Sequence, residues 1–258
     1  MIDHQFHAEQ LRSAYAGPTI APLRDSDPRA SVDDAYEIQA LNRDHWLREG
    51  RRIVGAKIGL TSKAVQKQLG VDQPDFGILF NDMAIDDGGS IPAGKLLQPR
   101  VEAEIAFCLG RDIDMVGDDP AELADAISYA LPALEIADSR VADWNITFVD
   151  TIADNASSGL FVLGTERLKL ADIDLVGCAM RMEKNGVLVS EGSGAACLGN
   201  PLNALAWLAS IRIHQGNPLK AGGIILSGAL GPMVAAVPGD SFTAHIEGLG
   251  GVSLHFAD

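Results

Sequence analysis

Pro99-Arg100-Val101-Glu102-Ala103-Glu104-Ile105-Ala106-Phe107 is the stretch that decides how this chain is read. Val101, Ala103, Ile105 and Phe107 recur at a period of two and give a strand one apolar face. Glu102 and Glu104 then share the other face, roughly 7 Å apart along the strand. Two carboxylates side by side in an apolar strand repel each other and lose hydration. A bound cation relieves both, and hard cations such as Mg2+ or Mn2+ prefer oxygen ligands. Glu135, in Leu131-Pro132-Ala133-Leu134-Glu135-Ile136-Ala137, is a third carboxylate in a similar setting and a candidate to complete such a site. A strand with one solvent-facing side also carries alternating glutamates without any metal, so the pattern alone leaves both readings open.

The bulk properties narrow the classes. A chain of 258 residues has room for one large domain or two small ones. Its net charge of −15 argues against nucleic acid or an anionic membrane as the main partner. Cys108, Cys178 and Cys197 are odd in number and lack CxxC spacing, which points to a reducing compartment without disulfides or a zinc site. The polar start, Met1-Ile2-Asp3-His4, has no signal-peptide hydrophobic region, and no apolar run reaches membrane-spanning length. These features predict a soluble, cytoplasmic protein.

Outward from the central stretch, the first fifty residues read as helical. Residues 2–15 form a short amphipathic segment ended by Gly17-Pro18, and a Pro/Asp-rich loop follows over 21–28. Ser31 with Asp34 resembles a capping box opening a helix to about Glu49, which Gly50 closes. Ile53–Gly59 reads as a strand with two glycines, where something approaches the backbone closely. Ser62 caps a short helix to Leu69, and residues 71–99 read as a long loop region. Asp119-Pro120-Ala121-Glu122 predicts a helix running to about Leu131. Strands are expected over 159–164, 177–183, 187–191, 223–228, 241–247 and 251–256, with a hairpin turn at Asn185-Gly186. Asn200-Pro201 starts a helix through about Ser210. Many short strands without regular βαβ alternation predict an α+β fold: a mixed, largely antiparallel, highly curved sheet with a helical N-terminal arm. No linker marks a domain boundary. The chain reads as a single domain, 1–258, with an arm over 1–50 and a core over 51–258.

Other candidate residues carry two readings each. Lys57 is either a cation aimed into a cleft or an edge-strand lysine. Asp75, in Gln73-Pro74-Asp75-Phe76-Gly77, is either an acid–base group or part of a turn. Asp150–Gly159 is dense in small polar groups that either line a site or satisfy their own backbone, and Asp138-Ser139-Arg140 shares that ambiguity. Ser227–Met233 either brings backbone to a ligand or is a plain turn. There is no GxGxxG, Walker A loop, GxSxG elbow or HExxH, so nothing favours a dinucleotide, ATP, a serine nucleophile or zinc.

Together these segments resemble the 2-keto-4-pentenoate (2-hydroxypenta-2,4-dienoate) hydratases of aromatic meta-cleavage pathways, within the fumarylacetoacetate hydrolase superfamily. The resemblance runs through Ile20–Asp25, Gly55–Thr61, Gln68–Gly77, Gln98–Ala106, Leu131–Glu135, Val149–Ser157 and Gly228–Val234. It implies a mixed β-roll, a divalent metal (Mg2+ or Mn2+) held by Glu102, Glu104 and Glu135, and catalytic positions at Lys57, Asp75 and Ser157. It also implies a homo-oligomer, decameric in some relatives, with a downstream aldolase as a further partner. The implied reaction is addition of water to 2-hydroxypenta-2,4-dienoate, giving 4-hydroxy-2-oxopentanoate. Decarboxylases and diacid hydratases of the superfamily share the three-carboxylate pattern, and a non-catalytic scaffold role in a pathway complex is a further alternative. A diacid needs a receiving cation, commonly an arginine. The uncharged run Ala229-Leu230-Gly231-Pro232-Met233 favours a monocarboxylate, unless Arg140 or another arginine folds in.

Overall fold

A computed structural model describes residues 2–258 except Ala64, Val65, Gln68, Leu69 and Asp118. In chain order the strands are β1 (Ile53–Gly59), β2 (Asp75–Phe80), β3 (Ala84–Ile85), β4 (Ser90–Ile91), β5 (Pro99–Leu109), β6 (Ile127–Asp138), β7 (Ser158–Leu163), β8 (Ala179–Lys184), β9 (Val187–Ser193), β10 (Ile224–Leu226), β11 (Val234–Ala235), β12 (Ser241–Ile246) and β13 (Gly250–Phe256). The α-helices are α1 (His4–Ala14), α2 (Leu23–Ser26), α3 (Val32–Arg48), α4 (Phe148–Ala153) and α5 (Pro201–His214).

The strands form two sheets. One runs β2-β1-β10-β5-β6-β7-β3, with β11 added alongside β5; the other runs β4-β13-β12-β8-β9. Most pairs are antiparallel, but β1–β10, β3–β7 and β4–β13 are parallel. This is the mixed, strongly curled sheet that the strand pattern predicts. The main apolar core gathers Val101, Ile105 and Phe107 of β5, Leu134 of β6, Phe161 of β7, Leu205 and Leu208 of α5 and Phe242 of β12. Asn185 and Gly186 both have positive φ, 53° and 76°, as the tight turn between β8 and β9 requires.

Two expectations fail, each for a physical reason. The helix predicted to run to Leu131 is a 3-10 turn over Pro120–Ala126, and the chain then enters β6. The cap is real, since Asp119 accepts from the Ala121 N–H. Strand β6 is buried on both faces from Ala130 onward, so it shows no alternation to betray it. The 71–99 region is not a long loop. It holds β3, β4 and β2, the last buried along its whole length and starting at Asp75. The helix expected over 62–69 lies partly outside the described residues; Lys63, Gln66 and Lys67 are helical.

The arm is fastened to the core by specific polar contacts as well as by apolar packing. The Ser31–Asp34 capping box forms as expected and opens α3. Ala8, Leu11, Ala35 and Ile38 of the arm pack against Phe148 and Ile152 of α4. Buried Gln39 of α3 donates through Nε2 to the carbonyls of Phe76 (2.9 Å) and Ile152 (3.1 Å). It therefore joins β2 to α4. Asp150 of α4 is buried and accepts from Leu23 N (2.7 Å), Arg24 Nη1 (2.6 Å) and Thr147 Oγ1 (2.7 Å).

Replacing Asp150 with alanine strands these donors around a buried site. The expected cost is about 2–4 kcal/mol, discounted because Arg24 is partly exposed. Urea unfolding of Asp150→Ala should show it, together with faster proteolysis within residues 15–30.

Candidate active site

Strands β5 and β6 are register partners, and Glu102 lies directly opposite Glu135. Glu104 follows Glu102 on the same face of β5. One carboxylate oxygen from each of Glu102, Glu104 and Glu135 lies within 4.8 Å of the others. The alternating glutamates do not face solvent: Glu102 is 9% exposed, Glu104 0% and Glu135 1%. Glu104 Oε2 accepts from the Gly228 N–H at 2.8 Å, so the Ser227–Met233 turn does approach the site through its backbone. Apart from the Lys57 ammonium, 2.9 Å from Glu135 Oε1, neither Glu135 oxygen nor Glu104 Oε1 has a donor among the described residues. Buried oxygens left without donors are costly and need a positive partner. Three carboxylates with spare oxygens at this spacing fit a hard divalent cation.

Electrostatics follow from the crowding. Burial, then the charge on Glu135, pushes Glu102 up to about 8. Burial, then the charges on Glu135 and Glu102, holds Glu104 well above the usual carboxylate range. Burial opposes the charge on Lys57, but Glu135, Asp75 and Glu102 outweigh it and raise its pKa. Lys57 therefore stays protonated. It sits on β1, which lies between β2 and β10, and is only 4% exposed; it is no edge-strand lysine.

Asp75 enters from β2, paired with Gly59 of β1. A Cβ at position 59 would overlap Asp75 Oδ1, which is the close approach that the glycines of β1 announced. Asp75 is 1% exposed; Oδ2 accepts from Thr151 Oγ1 at 3.1 Å and Oδ1 has no donor among the described residues. Burial raises its pKa, more than Lys57 and the Thr151 hydroxyl lower it. Thr151 was not singled out within the polar 150–159 segment. A threonine in a short helix carries no sequence signal for a partner 76 residues away.

Ser157 comes from a turn in an unusual conformation. Asn155, Ala156 and Ser157 all have left-handed φ, 55°, 52° and 52°. Such residues each cost of order 1 kcal/mol and persist only where surroundings hold them. Here the Asn155 side chain clamps Ile78, accepting from its N–H (2.7 Å) and donating to its carbonyl (3.0 Å). Gly77 completes the fit, because a Cβ there would strike the Asn155 carbonyl and Ser158 Oγ. Ser157 Oγ is buried and has no hydrogen-bond partner among the described residues.

Lys57, Asp75, Glu102, Thr151 and Ser157 line one cavity of about 360 Å³. That volume suits a small molecule. Ala229 and Met233 form part of its wall, as expected of an uncharged loop. Two other candidates go elsewhere. Arg140 is 1% exposed and committed to Asp154 through Nε (2.6 Å), so it does not fold into the cavity. Asp138 accepts from the Leu97 and Gln98 N–H groups and is structural. The arginine that does line the cavity is Arg100.

A roll of this topology with three carboxylates on its central strands defines a class. The chain belongs to the fumarylacetoacetate (FAA) hydrolase C-terminal family, whose profile matches residues 50–256. Among its relatives, 2-keto-4-pentenoate hydratase 2 of Dechloromonas aromatica is 58% identical over 97% of this chain and 96% of that protein. The 2-keto-4-pentenoate hydratase of Burkholderia vietnamiensis is 55% identical over 97% of this chain and 96% of its own length. Among solved structures, 4-oxalocrotonate decarboxylase from Pseudomonas putida G7, complexed with magnesium and adipate, superposes with a TM-score of 0.94 at 34% identity, covering 99% of each chain.

The raised carboxyl pKa values set a pH dependence. A carboxyl whose pKa is higher folded than unfolded binds more protons in the folded state, so stability falls as pH rises between the two values. With divalent cations chelated, the melting temperature should drop by several degrees between about pH 5 and about pH 8, following Glu102 and Glu104. Added Mg2+ should restore it most at the upper end. Circular dichroism melts across this range provide the check, and a flat profile would contradict the charge assignment.

Proposed function

We propose that the chain is a hydro-lyase that adds water to 2-hydroxypenta-2,4-dienoate to form 4-hydroxy-2-oxopentanoate, in aromatic catabolism. One observation carries the reading. Three buried glutamates with spare oxygens adjoin a small cavity that is also lined by buried Lys57 and Asp75. The names of the relatives above support the substrate.

In this reading Glu102, Glu104 and Glu135 hold a divalent cation, Mg2+ or Mn2+. When bound it supplies Lewis acidity to the oxygens of a 2-oxo acid. The remaining work is proton transfer and placement of water along the carbon chain: the C2 hydroxyl gives up its proton as one goes to C5, then water leaves its hydroxyl on C4 and gives up a proton as one goes to C3. Asp75 is suited to move protons, since burial keeps its carboxyl readier to hold one than an ordinary aspartate. Lys57 remains cationic and contacts the substrate carboxylate or sets the charge state of Asp75. Ser157 Oγ, free of partners among the described residues, orients substrate or water. Thr151 fixes the direction in which Asp75 presents its free oxygen. A homo-oligomeric assembly and hand-over of product to an aldolase go with this reading. Exposed Val187, Leu188 and Val189 on edge strand β9 are apolar surface consistent with assembly.

The direct test follows the ultraviolet absorbance of the dienoate with the full chain and Mg2+ or Mn2+, and identifies the product. Loss of absorbance with formation of the 4-hydroxy-2-oxo acid is expected; no turnover with either ion would refute the reading.

Glu104→Gln should lower divalent-ion affinity in calorimetry and remove most turnover, while the fold survives because a crowded negative charge is gone. Lys57→Ala and Asp75→Asn should keep the ion and lose turnover on the order of a hundred- to ten-thousandfold. Near-normal turnover by Asp75→Asn would leave that residue a structural part of β2.

A further inference from the structure

We propose that Cys197 is a positioning residue for the ion site: its thiol holds the Ser227–Gly228 peptide so that the Gly228 N–H grips one oxygen of Glu104 and leaves the other free for the ion. This rests on the reading above, in which Glu104 is one of three glutamates holding a divalent cation.

The link runs through a single peptide group. Its carbonyl, on Ser227, accepts from Cys197 Sγ at 2.9 Å. Its N–H, on Gly228, donates to Glu104 Oε2 at 2.8 Å. A carbonyl only accepts, so the sulfur carries the proton. A donor on the carbonyl side polarises the planar peptide and strengthens its N–H as a donor. Among the described residues the Gly228 N–H is the one donor to Glu104, and Oε1 of this fully buried carboxylate has none. Holding Oε2 therefore sets where Oε1 points. Partners one step behind a metal ligand commonly orient it in this way.

The peptide is held from three sides. Ser227 spans Ile105 of β5: its N–H donates to the Ile105 carbonyl (3.0 Å) and its Oγ accepts from the Ile105 N–H (3.3 Å). Gly228 has φ 106°, and a Cβ there would overlap the Thr61 side chain. Cys197 is the third hold, and it comes from a distant segment of the chain.

That segment is built at a cost. Cys197 lies in the connection between β9 and α5 and is fully buried. The next residue, Leu198, has a left-handed φ of 48°, which a bulky side chain rarely adopts. Both of its backbone groups are tied. Its N–H donates to the Thr61 carbonyl at 3.1 Å, and its carbonyl accepts from Asn203 Nδ2 at 2.9 Å. A connection that serves only to join a strand to a helix has no need of strain held on both sides. Thr61 thus meets the link twice, through its carbonyl at Leu198 and through its side chain at Gly228.

The test is calorimetry with Mg2+ and with Mn2+ on the full chain, comparing wild type, Cys197→Ser and Cys197→Ala. Serine and alanine leave a similar gap in the packing, but only serine keeps a donor. Cys197→Ala should bind either ion about three- to tenfold more weakly, the value of one hydrogen bond. Cys197→Ser should stay within about twofold of wild type. The electron paramagnetic resonance spectrum of bound Mn2+ reads the ligand arrangement itself. It should match between wild type and Cys197→Ser and broaden in Cys197→Ala. If Cys197→Ala fails to fold, Cys197→Val, which also lacks a donor, serves in its place. Serine and alanine variants that lose affinity alike, or that both keep the wild-type affinity, would overturn the link while leaving the proposed function intact. A wild-type chain that binds neither ion would remove both.

Discussion

Mutual repulsion among buried carboxylates is the constraint around which this molecule is organised. Glu102, Glu104 and Glu135 are almost solvent-free, with Asp75 a short distance away and one buried ammonium, Lys57, among them. Removing charges from water without full compensation costs several kcal/mol each. A chain would tolerate this only with a rigid frame around it. The frame is the pairing of β5 with β6, which fixes Glu102 against Glu135, and of β1 with β2, which fixes Lys57 and Asp75. Proton uptake by Glu102 and Glu104 or a bound cation then settles the remaining charge.

The periphery supplies that rigidity. Gln39 of the arm holds β2 and α4 together, and Asp150 pins α2 onto α4. Their common effect is to fix Asp75 relative to Thr151. The left-handed run at 155–157 is held by Asn155 on β2, so Ser157 is fixed to the same strand as Asp75. Residues far from the cavity thus control angles inside it. Asp154 and Arg140 work in the same way, tying the end of β6 to the end of α4.

Much of this was legible in the sequence where local rules apply. The Ser31–Asp34 box, the Asn185-Gly186 turn and the Asn200-Pro201 helix start are short-range signals, and each appears as read. The alternation around Glu102 and Glu104 gave β5, the settings of Glu135, Lys57 and Asp75 marked them as candidates, and the resemblance added Ser157 and tied the set together. What stayed hidden depends on pairing between distant segments. Strands β2 and β6 are buried on both faces and lack a period of two. Pro132 and the helix-favouring alanines and leucines around it argued against a strand. Arg100 stood in plain view within the central stretch. Its guanidinium stacks on Trp144, and that contact depends on left-handed Asp143 and Trp144, which no propensity would predict.

The place of β10 in the main sheet has a consequence for how the molecule comes into being. This three-residue strand, Ile224–Leu226, lies between β1 and β5. It separates Lys57 from the glutamates by one strand and joins them into one sheet. During synthesis, residues 57, 75, 102, 135 and 157 have all emerged long before residue 224 exists. Until then the β1–β2 pair and the β5-β6-β7-β3 run have no strand between them to join them, and each has an exposed edge and its own unbalanced charge. Contacts of such long sequence separation form late. Assembly of the carboxylate cluster around its ammonium is therefore a closing event, made when nearly the whole chain has left the ribosome.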